Sequence, residues 1–204
     1  MLLTGLLAAC ATPNIGWDYS LRDSGNEGLV AVALSFEGTG HAANPTWEYR
    51  SLDGGSSGTL MTRMPDAPED WNLDSGGRLA VFELPPGRYE FYLCRFSRPS
   101  GGNGMRWTVG GSGGVTMSNP AYSGLNAPTY DRFVANPFSV PFEVRAGKLS
   151  YIGELHLRWA YTSEARGLGE VQVADRAGRD LPLLRARLSN IQPGQILSGT
   201  AATH

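Results

Sequence analysis

The sequence is poor in charge, in cysteine and histidine, and in long apolar runs, and each shortage removes a class of protein. Only 18% of its residues are charged, and 17 basic against 19 acidic side chains leave a formal charge of −2. No basic stripe is available to follow a phosphate backbone, so nucleic acid is not an expected partner. Histidine occurs three times and cysteine twice, at Cys10 and Cys94. A zinc site needs three or four converging ligands, and no His/Cys cluster has that spacing, so no metal and no cofactor is expected. Two cysteines allow one disulfide at most, which excludes a disulfide scaffold. No apolar run approaches the roughly 20 residues of a transmembrane helix, and long helical periodicities are missing. What abounds is glycine, at 27 residues, with 13 prolines. Without a fixed period these mark turns and long loops, not collagen.

The first residues read Met1-Leu2-Leu3-Thr4-Gly5-Leu6-Leu7-Ala8-Ala9-Cys10. Leu2 to Ala9 is a short apolar stretch ending in small residues, the form of a signal-peptide core and cleavage site. The run Leu7-Ala8-Ala9-Cys10 resembles a bacterial lipobox. The resemblance implies that the Cys10 thiol takes a diacylglyceryl group, that the leader is cut before it, and that the new amine is acylated. Three chains would hold the protein on a membrane almost permanently, since each buried CH₂ contributes roughly 0.8 kcal/mol. Ala11, where an aspartate would often mean retention at the inner membrane, favours the outer membrane by the same analogy. Unlike most leaders, this one has no Lys or Arg before its apolar core. The competing reading is a soluble protein with an apolar first element and a buried cysteine. The expected organisation is a signal peptide over 1–9, a lipidated N-terminus and tether over 10–27, and one β-domain over 28–198. Within the tether, Trp17 and Tyr19 are expected to dock on the domain.

Gly28 to Phe36 is an apolar run suited to a central strand covered on both faces. Thr46 to Arg50 and Gly58 to Met64 read as a hairpin around Asp53-Gly54-Gly55. Leu79 to Leu84 and Arg88 to Phe96 flank Pro85-Pro86-Gly87 and read as another. On the second of these strands Tyr89, Phe91 and Leu93 are expected on one face, and Arg88, Glu90, Tyr92 and Cys94 on the other. Residues 97–137 form a Gly-rich insertion, within which Met105 to Val109 and Val115 to Met117 suggest a small hairpin. A further hairpin is expected from Ser139 to Arg145 and Leu149 to Trp159, turning at Ala146-Gly147-Lys148. On its second strand Leu149, Tyr151, Leu155, Leu157 and Trp159 are expected to share a face, opposite Glu154, His156 and Arg158. Gly169 to Ala174 is a last strand. Asp180 is expected to N-cap a short helix with Pro182 in its first turn and a buried stripe of Leu181, Leu184 and Leu188. The tail from Ser198 reads as frayed.

Short antiparallel strands with frequent turns predict an all-β, antiparallel β-sandwich of transthyretin/immunoglobulin-like type, with one short C-terminal helix and a long Gly-rich loop insertion. The segments FELPPGRYEFYL, PFEVRAGKLSYIGELHL and VADRAGRDLPLLRARL resemble the transthyretin-like (prealbumin-like) sandwich of many bacterial lipoproteins and envelope proteins. The resemblance covers about half of the chain and rests on turn chemistry, so it implies a fold and no particular activity.

Candidate chemistry is sparse. The pattern G-x-S-x-G occurs at Gly54–Gly58 and Gly110–Gly114, offering Ser56 and Ser112 as nucleophiles with His41 or His156 as base. A nucleophile elbow needs a strand before the serine and a helix after it, and neither match precedes a helical pattern. Flexible glycine loops are the expected identity of both. Asp70, Asn72 and Asp74 alternate in a loop, as calcium ligands can, but lack the EF-hand spacing; Asp53, or Asp175 with Asp180, offers no better. Trp71, or Trp107 with Tyr122 and Tyr130, could stack on a sugar or pack against a partner protein; the plainer alternative is packing under their own loops. The expectation is therefore a membrane-anchored envelope lipoprotein, not an enzyme, acting as a binding or assembly module for another envelope component. The alternatives are a carbohydrate- or peptidoglycan-binding module and, from another class, a serine hydrolase.

Overall fold

Gly28-Leu-Val-Ala-Val-Ala-Leu-Ser35 has almost no polar position, so a strand built from it must be covered on both faces. The computed structural model describes residues 14–16, 18–21, 25–38, 45–63, 73, 77–98, 105–110, 116–118, 138–161 and 167–199. In chain order its elements are β1 (Gly28–Gly38), β2 (Thr46–Ser51), β3 (Ser57–Met61), β4 (Arg78–Leu84), β5 (Gly87–Arg98), β6 (Met105–Gly110), β7 (Thr116–Ser118), β8 (Val140–Val144), β9 (Leu149–Tyr161), β10 (Gly167–Ala174), α1 (Ala177–Arg187) and, after a single 3₁₀ turn at Pro193–Gln195, β11 (Ile196–Ser198). One sheet has the order β10-β9-β1-β4, with β11 also on β9; the other has the order β3-β2-β5-β6-β7, with β8 also on β5. The fold is thus a mostly β structure of two packed sheets and one helix, but not the wholly antiparallel one expected: β9 runs parallel to both β1 and β11.

Strand β1 explains the layering. Val30, Val32 and Leu34 enter the layer between the sheets, together with Trp47, Tyr49, Phe82, Phe91 and Leu155. Leu29, Ala31 and Ala33 face the other way, into a second layer with Leu149, Tyr151, Leu184 and Leu188, where α1 covers the first sheet. At about 25 cal/mol per Å² of apolar surface removed from water, these two layers supply the main driving force for folding.

Two expected hairpins are corners instead. Strand β4 pairs with β1 and β5 pairs with β2, so Pro85-Pro86-Gly87 carries the chain from one sheet to the other. Two consecutive prolines have no N–H to start a ladder, and Tyr89 closes the corner by donating its hydroxyl to the Pro85 carbonyl at 2.8 Å. Likewise β8 lies on β5 while β9 lies on β1, so Ala146-Gly147-Lys148 is a corner, with Gly147 at φ +65°. The expected β2–β3 and β6–β7 pairings are present as hairpins.

Strict alternation fails on the central strand of each sheet. Along β9 the partners of Ala31 and Val32 are Tyr151 and Gly153, which leaves Ile152 as an extra residue. A one-residue bulge exchanges the two faces. Leu149 and Tyr151 therefore face the helix, whereas Ile152, Leu155 and Leu157 face the other sheet. On β5 the partners of Glu48 and Tyr49 are Leu93 and Phe91, which leaves Tyr92 over. Cys94 thus returns to the inter-sheet layer beside Tyr89 and Phe91 and is fully buried, not on the opposite face as alternation predicts.

The helix starts three residues before the expected cap. Arg176 is the N-cap, Asp180 lies buried inside the first turn, and Pro182 is in the helix body. Of the expected stripe, Leu184 and Leu188 are buried and Leu181 packs partly buried beside them. Ser198, expected to fray, is the last residue of β11, which runs parallel to the start of β9. Of the expected tether, residues 14–16 and 18–21 lie on the domain, with Ile15, Tyr19 and Leu21 packed into the helix-side layer. Trp17 lies outside the described residues.

Gly153 sits in the β9 bulge at φ +110°, a conformation that L side chains rarely adopt. Gly153→Val is expected to lower stability by about 1–3 kcal/mol, read as a shifted urea midpoint. An unchanged midpoint would mean that the bulge is not required.

Candidate functional site

The registers divide the connections by end. The β2–β3 turn (52–56), the corner at 85–86 and the corner at 145–148 lie at the end where β1 begins. The opposite end holds the termini of β1 and β9, the starts of β2, β4 and β10, and the end of β5. From there depart the stretches 39–44, 64–72, 99–104 and 162–166, and β7 also finishes toward it before 119–137. Sandwiches of this kind commonly use one end's loops for recognition.

Of the candidate aromatics, Trp71 belongs to the β3–β4 connection and Tyr122 and Tyr130 to the β7–β8 connection, all outside the described residues. Trp107 lies on β6, opposite Phe96 on β5. Cys10, His41, Ser112, Asp70, Asn72 and Asp74 are also outside the described residues. Among the described residues, no group of three or more His, Cys, Asp or Glu could hold a metal ion.

Beneath this end the structure is firmly built. Trp47 is fully buried; its Nε1–H donates to Thr62 Oγ1 at 2.9 Å, and Thr62 Oγ1 donates to the Pro45 carbonyl at 2.9 Å. Phe138 meets the Trp47 ring edge-on at 6.3 Å. Burial, followed by the Glu48 charge, pushes the Cys94 thiol well up, so it stays protonated and unreactive. Burial also brings the Arg78 guanidinium down to about 10, still cationic at neutral pH.

Among the described residues a polar constellation lies elsewhere, on the outer face of the first sheet. The β9 bulge aims Glu154, His156 and Arg158 outward there, while Ser35 and Glu37 project from β1 beside them. The first turn of α1 brings Arg176, Arg179 and Asp180. Asp180 is fully buried and accepts from the Tyr151 hydroxyl at 2.6 Å and from Arg179 Nε at 2.6 Å. Burial and that carboxylate push the Tyr151 hydroxyl up. Glu154, 4% exposed, accepts from Arg176 Nε at 2.9 Å and Arg179 Nη1 at 3.5 Å. Further along, Ser35 Oγ lies 2.7 Å from His156 Nδ1, and Glu37 lies 3.9 Å from His156 Nε2 and 2.9 Å from Arg158 Nε.

This row contains a serine, a histidine and carboxylates, yet its geometry suits holding rather than catalysis. Ser35 is only 1% exposed, so its hydroxyl has no access to a substrate carbonyl. The three carboxylates are matched by three arginines, so none is left as an activated base. Sequence reasoning missed this cluster because Asp180 and Arg176 are brought to Glu154 by the packing of α1, which no local pattern records. Ser56 lies in the β2–β3 turn of the other sheet, at the opposite end from the His156 side of β9, and the two are not brought together. Asp53, weighed above as a cation ligand, instead holds Arg88 through Nε at 3.0 Å and Nη2 at 2.6 Å.

No protein-family model matches the chain, and no curated protein matches it. Among solved structures it is similar to a leucine-rich repeat protein from Bacteroides thetaiotaomicron VPI-5482, at 14% identity and a TM-score of 0.34, covering 68% of this chain and 15% of that one. A likeness that weak carries no structural argument. Among the described residues no helix is long and apolar enough to cross a membrane.

For Glu154, burial raises the carboxyl, but hydrogen bonds from Ser35 and Arg176 and the charges of Arg179 and Arg176 outweigh it and hold the group below its ordinary value. Its charged form therefore favours the folded state. That contribution is full above the ordinary glutamate value of about 4.3 and disappears as pH falls through the lower folded value. Glu154→Gln is expected to cost about 1–2 kcal/mol at neutral pH, the arginines being partly exposed, and to flatten the acid limb of the stability curve. Parallel acid limbs for the two proteins would rule this out.

Proposed function

We propose that this chain is a lipid-anchored envelope protein whose transthyretin-like sandwich is a non-catalytic binding or assembly module, with its recognition surface at the end where the long connections gather. The observation that carries this reading is the asymmetry of the sandwich. One end carries the β2–β3 turn and the two corners, whereas the longer β1–β2 and β3–β4 connections, with β5–β6 and a β9–β10 connection as short as the β2–β3 turn, depart from the other. Trp71, Tyr122 and Tyr130 belong to connections that leave strands there, and Trp107 lies on the small β6–β7 hairpin. The transthyretin-like reading rests on the sequence resemblance and on the two-sheet architecture, since Pro85–Gly87 and Ala146–Lys148 join different sheets and are not the hairpins the resemblance implies. The lipobox-like Leu7-Ala8-Ala9-Cys10 supports the anchor and a place at the outer membrane.

A protein partner is favoured over a glycan because the candidate rings are spread over several connections in the sequence and not confined to one. Replacing Trp71, Trp107, Tyr122 and Tyr130 by alanine together is expected to abolish cross-linking to the envelope partner while leaving the thermal midpoint of the sandwich unchanged. Retention of peptidoglycan binding with loss of nothing else would move recognition away from these rings. For the anchor, the wild type is expected to float with membranes and carry diacylglyceryl and acyl mass at Cys10, and Cys10→Ser to do neither. A soluble, unmodified wild type would refute the anchor.

A further inference from the structure

Two short strands flank an opening in the side of the sandwich. Strand β8 adds to β5 in one sheet and β11 adds to β9 in the other, and among the described residues neither carries a further strand on its outer edge. Between them a cleft of about 340 Å³ enters the layer between the sheets. The registers fix what lines it. Leu197 of β11 lies beside Ser150 of β9, which lies beside Val30 of β1. Neighbours in register project to one face, and Val30 belongs to the inter-sheet core. Leu197 and Ser150 therefore point into that layer as well. Phe142 faces them from β8, and Ile152, the extra residue of the β9 bulge, lies with them. The Phe142 ring does not swing in to fill the cleft, because it stacks on Tyr89 at 5.5 Å and on Phe91 at 5.3 Å. The cleft is thus part of the folded scaffold.

Its polar groups gather toward the corner at 146–148. Ser150 is only 8% exposed. Among the described residues its hydroxyl takes part in no side-chain hydrogen bond, so its partner has to come from the cleft that it lines. A buried hydroxyl left without a partner is costly. On the rim, Arg145 holds Glu143 through Nε at 3.1 Å and Nη2 at 3.0 Å. This pair presents donor and acceptor side by side with no net charge. We infer that the cleft binds a small uncharged amphiphile. Its apolar body lies between Phe142, Ile152 and Leu197, and its neutral head, an amide or a hydroxyl, bonds the Ser150 hydroxyl and the Glu143–Arg145 pair. A charged head would be attracted by one member of that pair and repelled by the other. The volume falls at the lower end of small-ligand pockets, about 300–1,000 Å³. An added strand fits less well, because Pro141 of β8 has no N–H and proline on an edge strand obstructs strand addition. The site lies apart from the long connections and depends neither on recognition there nor on lipidation.

The test uses the full chain carrying Cys10→Ser, so that no detergent competes for the probe. The probe is N-phenylnaphthylamine, an uncharged apolar dye with one N–H whose fluorescence rises when it leaves water. A single saturable site is expected. Leu197→Trp, at a half-buried position on β11, fills the cleft and is expected to abolish binding. Ser150→Ala removes only the hydroxyl oxygen and is expected to weaken binding about two- to tenfold, the worth of one hydrogen bond. Circular dichroism checks that both variants keep their fold, and Ser150→Ala carries the test alone if Leu197→Trp does not fold. The sulfonated, anionic analogue of the dye is expected to bind the wild type more weakly. No saturable binding by the wild type, or unchanged affinity in either folded variant, overturns the site. Equal or tighter binding of the anionic analogue overturns the uncharged head.

Discussion

The parallel pairing of β1 with β9 is the constraint on which the rest of the molecule depends. In the first sheet every residue of β1 from Gly28 to Ser35 is covered, as is every residue of β9 from Leu149 to Leu155. Parallel neighbours cannot be joined by a tight turn. Between β1 and β9 the chain therefore leaves the sheet for β2 and β3, returns to lay β4 beside β1, and leaves again for β5 to β8 before β9. The corners at Pro85–Gly87 and Ala146–Lys148 are the tightest of its crossings. Because Leu29 meets Leu149 across such a separation in sequence, this pairing bears the largest loop-closure cost of the strand pairings among the described residues. It also sets the slow, non-local character expected of its folding.

The bulge in β9 connects that pairing to the outer surface. Before it, Leu149 and Tyr151 serve the helix-side layer; after it, Glu154, His156 and Arg158 occupy the same face. One face of one strand thus changes from apolar to charged within a few residues. Helix α1 lies across the change, with Leu184 and Leu188 on the apolar part and Arg176, Arg179 and Asp180 on the charged part. Buried ion pairs add little net stability, since desolvation offsets much of the Coulomb gain. Removing one partner is costly, however, so the pairs select a single seating of the helix. This cluster is best understood as the clasp that fixes α1.

The sequence announced the composition of the sandwich but not its phase. The apolar run of β1, the β2–β3 turn at Asp53-Gly54-Gly55 and the corner residues at Pro85–Gly87 were all legible from local chemistry. Sheet membership was not, because a proline-glycine turn reads alike in a hairpin and in a corner. Alternation also could not foresee the extra residues Tyr92 and Ile152, each of which reverses the facing of everything after it on its strand. The start of α1 was obscured for a related reason. Asp180 has the character of a cap, yet its carboxylate is drawn inward by the Tyr151 hydroxyl and the Arg179 guanidinium, both supplied by tertiary packing. Of the candidate site, only the location of its connections followed from the sequence, through the clustering of glycine and aromatic residues between strands.

The two polar regions of the molecule differ in what they leave available to a ligand. On the outer face of the first sheet, each carboxylate already has its arginine, and the serine and aspartate involved are covered. A ligand binding there would have to displace these pairs at a cost in charge desolvation. At the end of the long connections, Trp47, Thr62, Pro45 and Phe138 form an inner floor that is already satisfied by its own hydrogen bonds and ring contacts. A rigid floor of this kind allows the stretches above it to vary in length and composition without disturbing the sheets. Recognition placed there adds no strain to the β1–β9 pairing. The proposed recognition end is thereby kept apart from the pairing on which the scaffold depends.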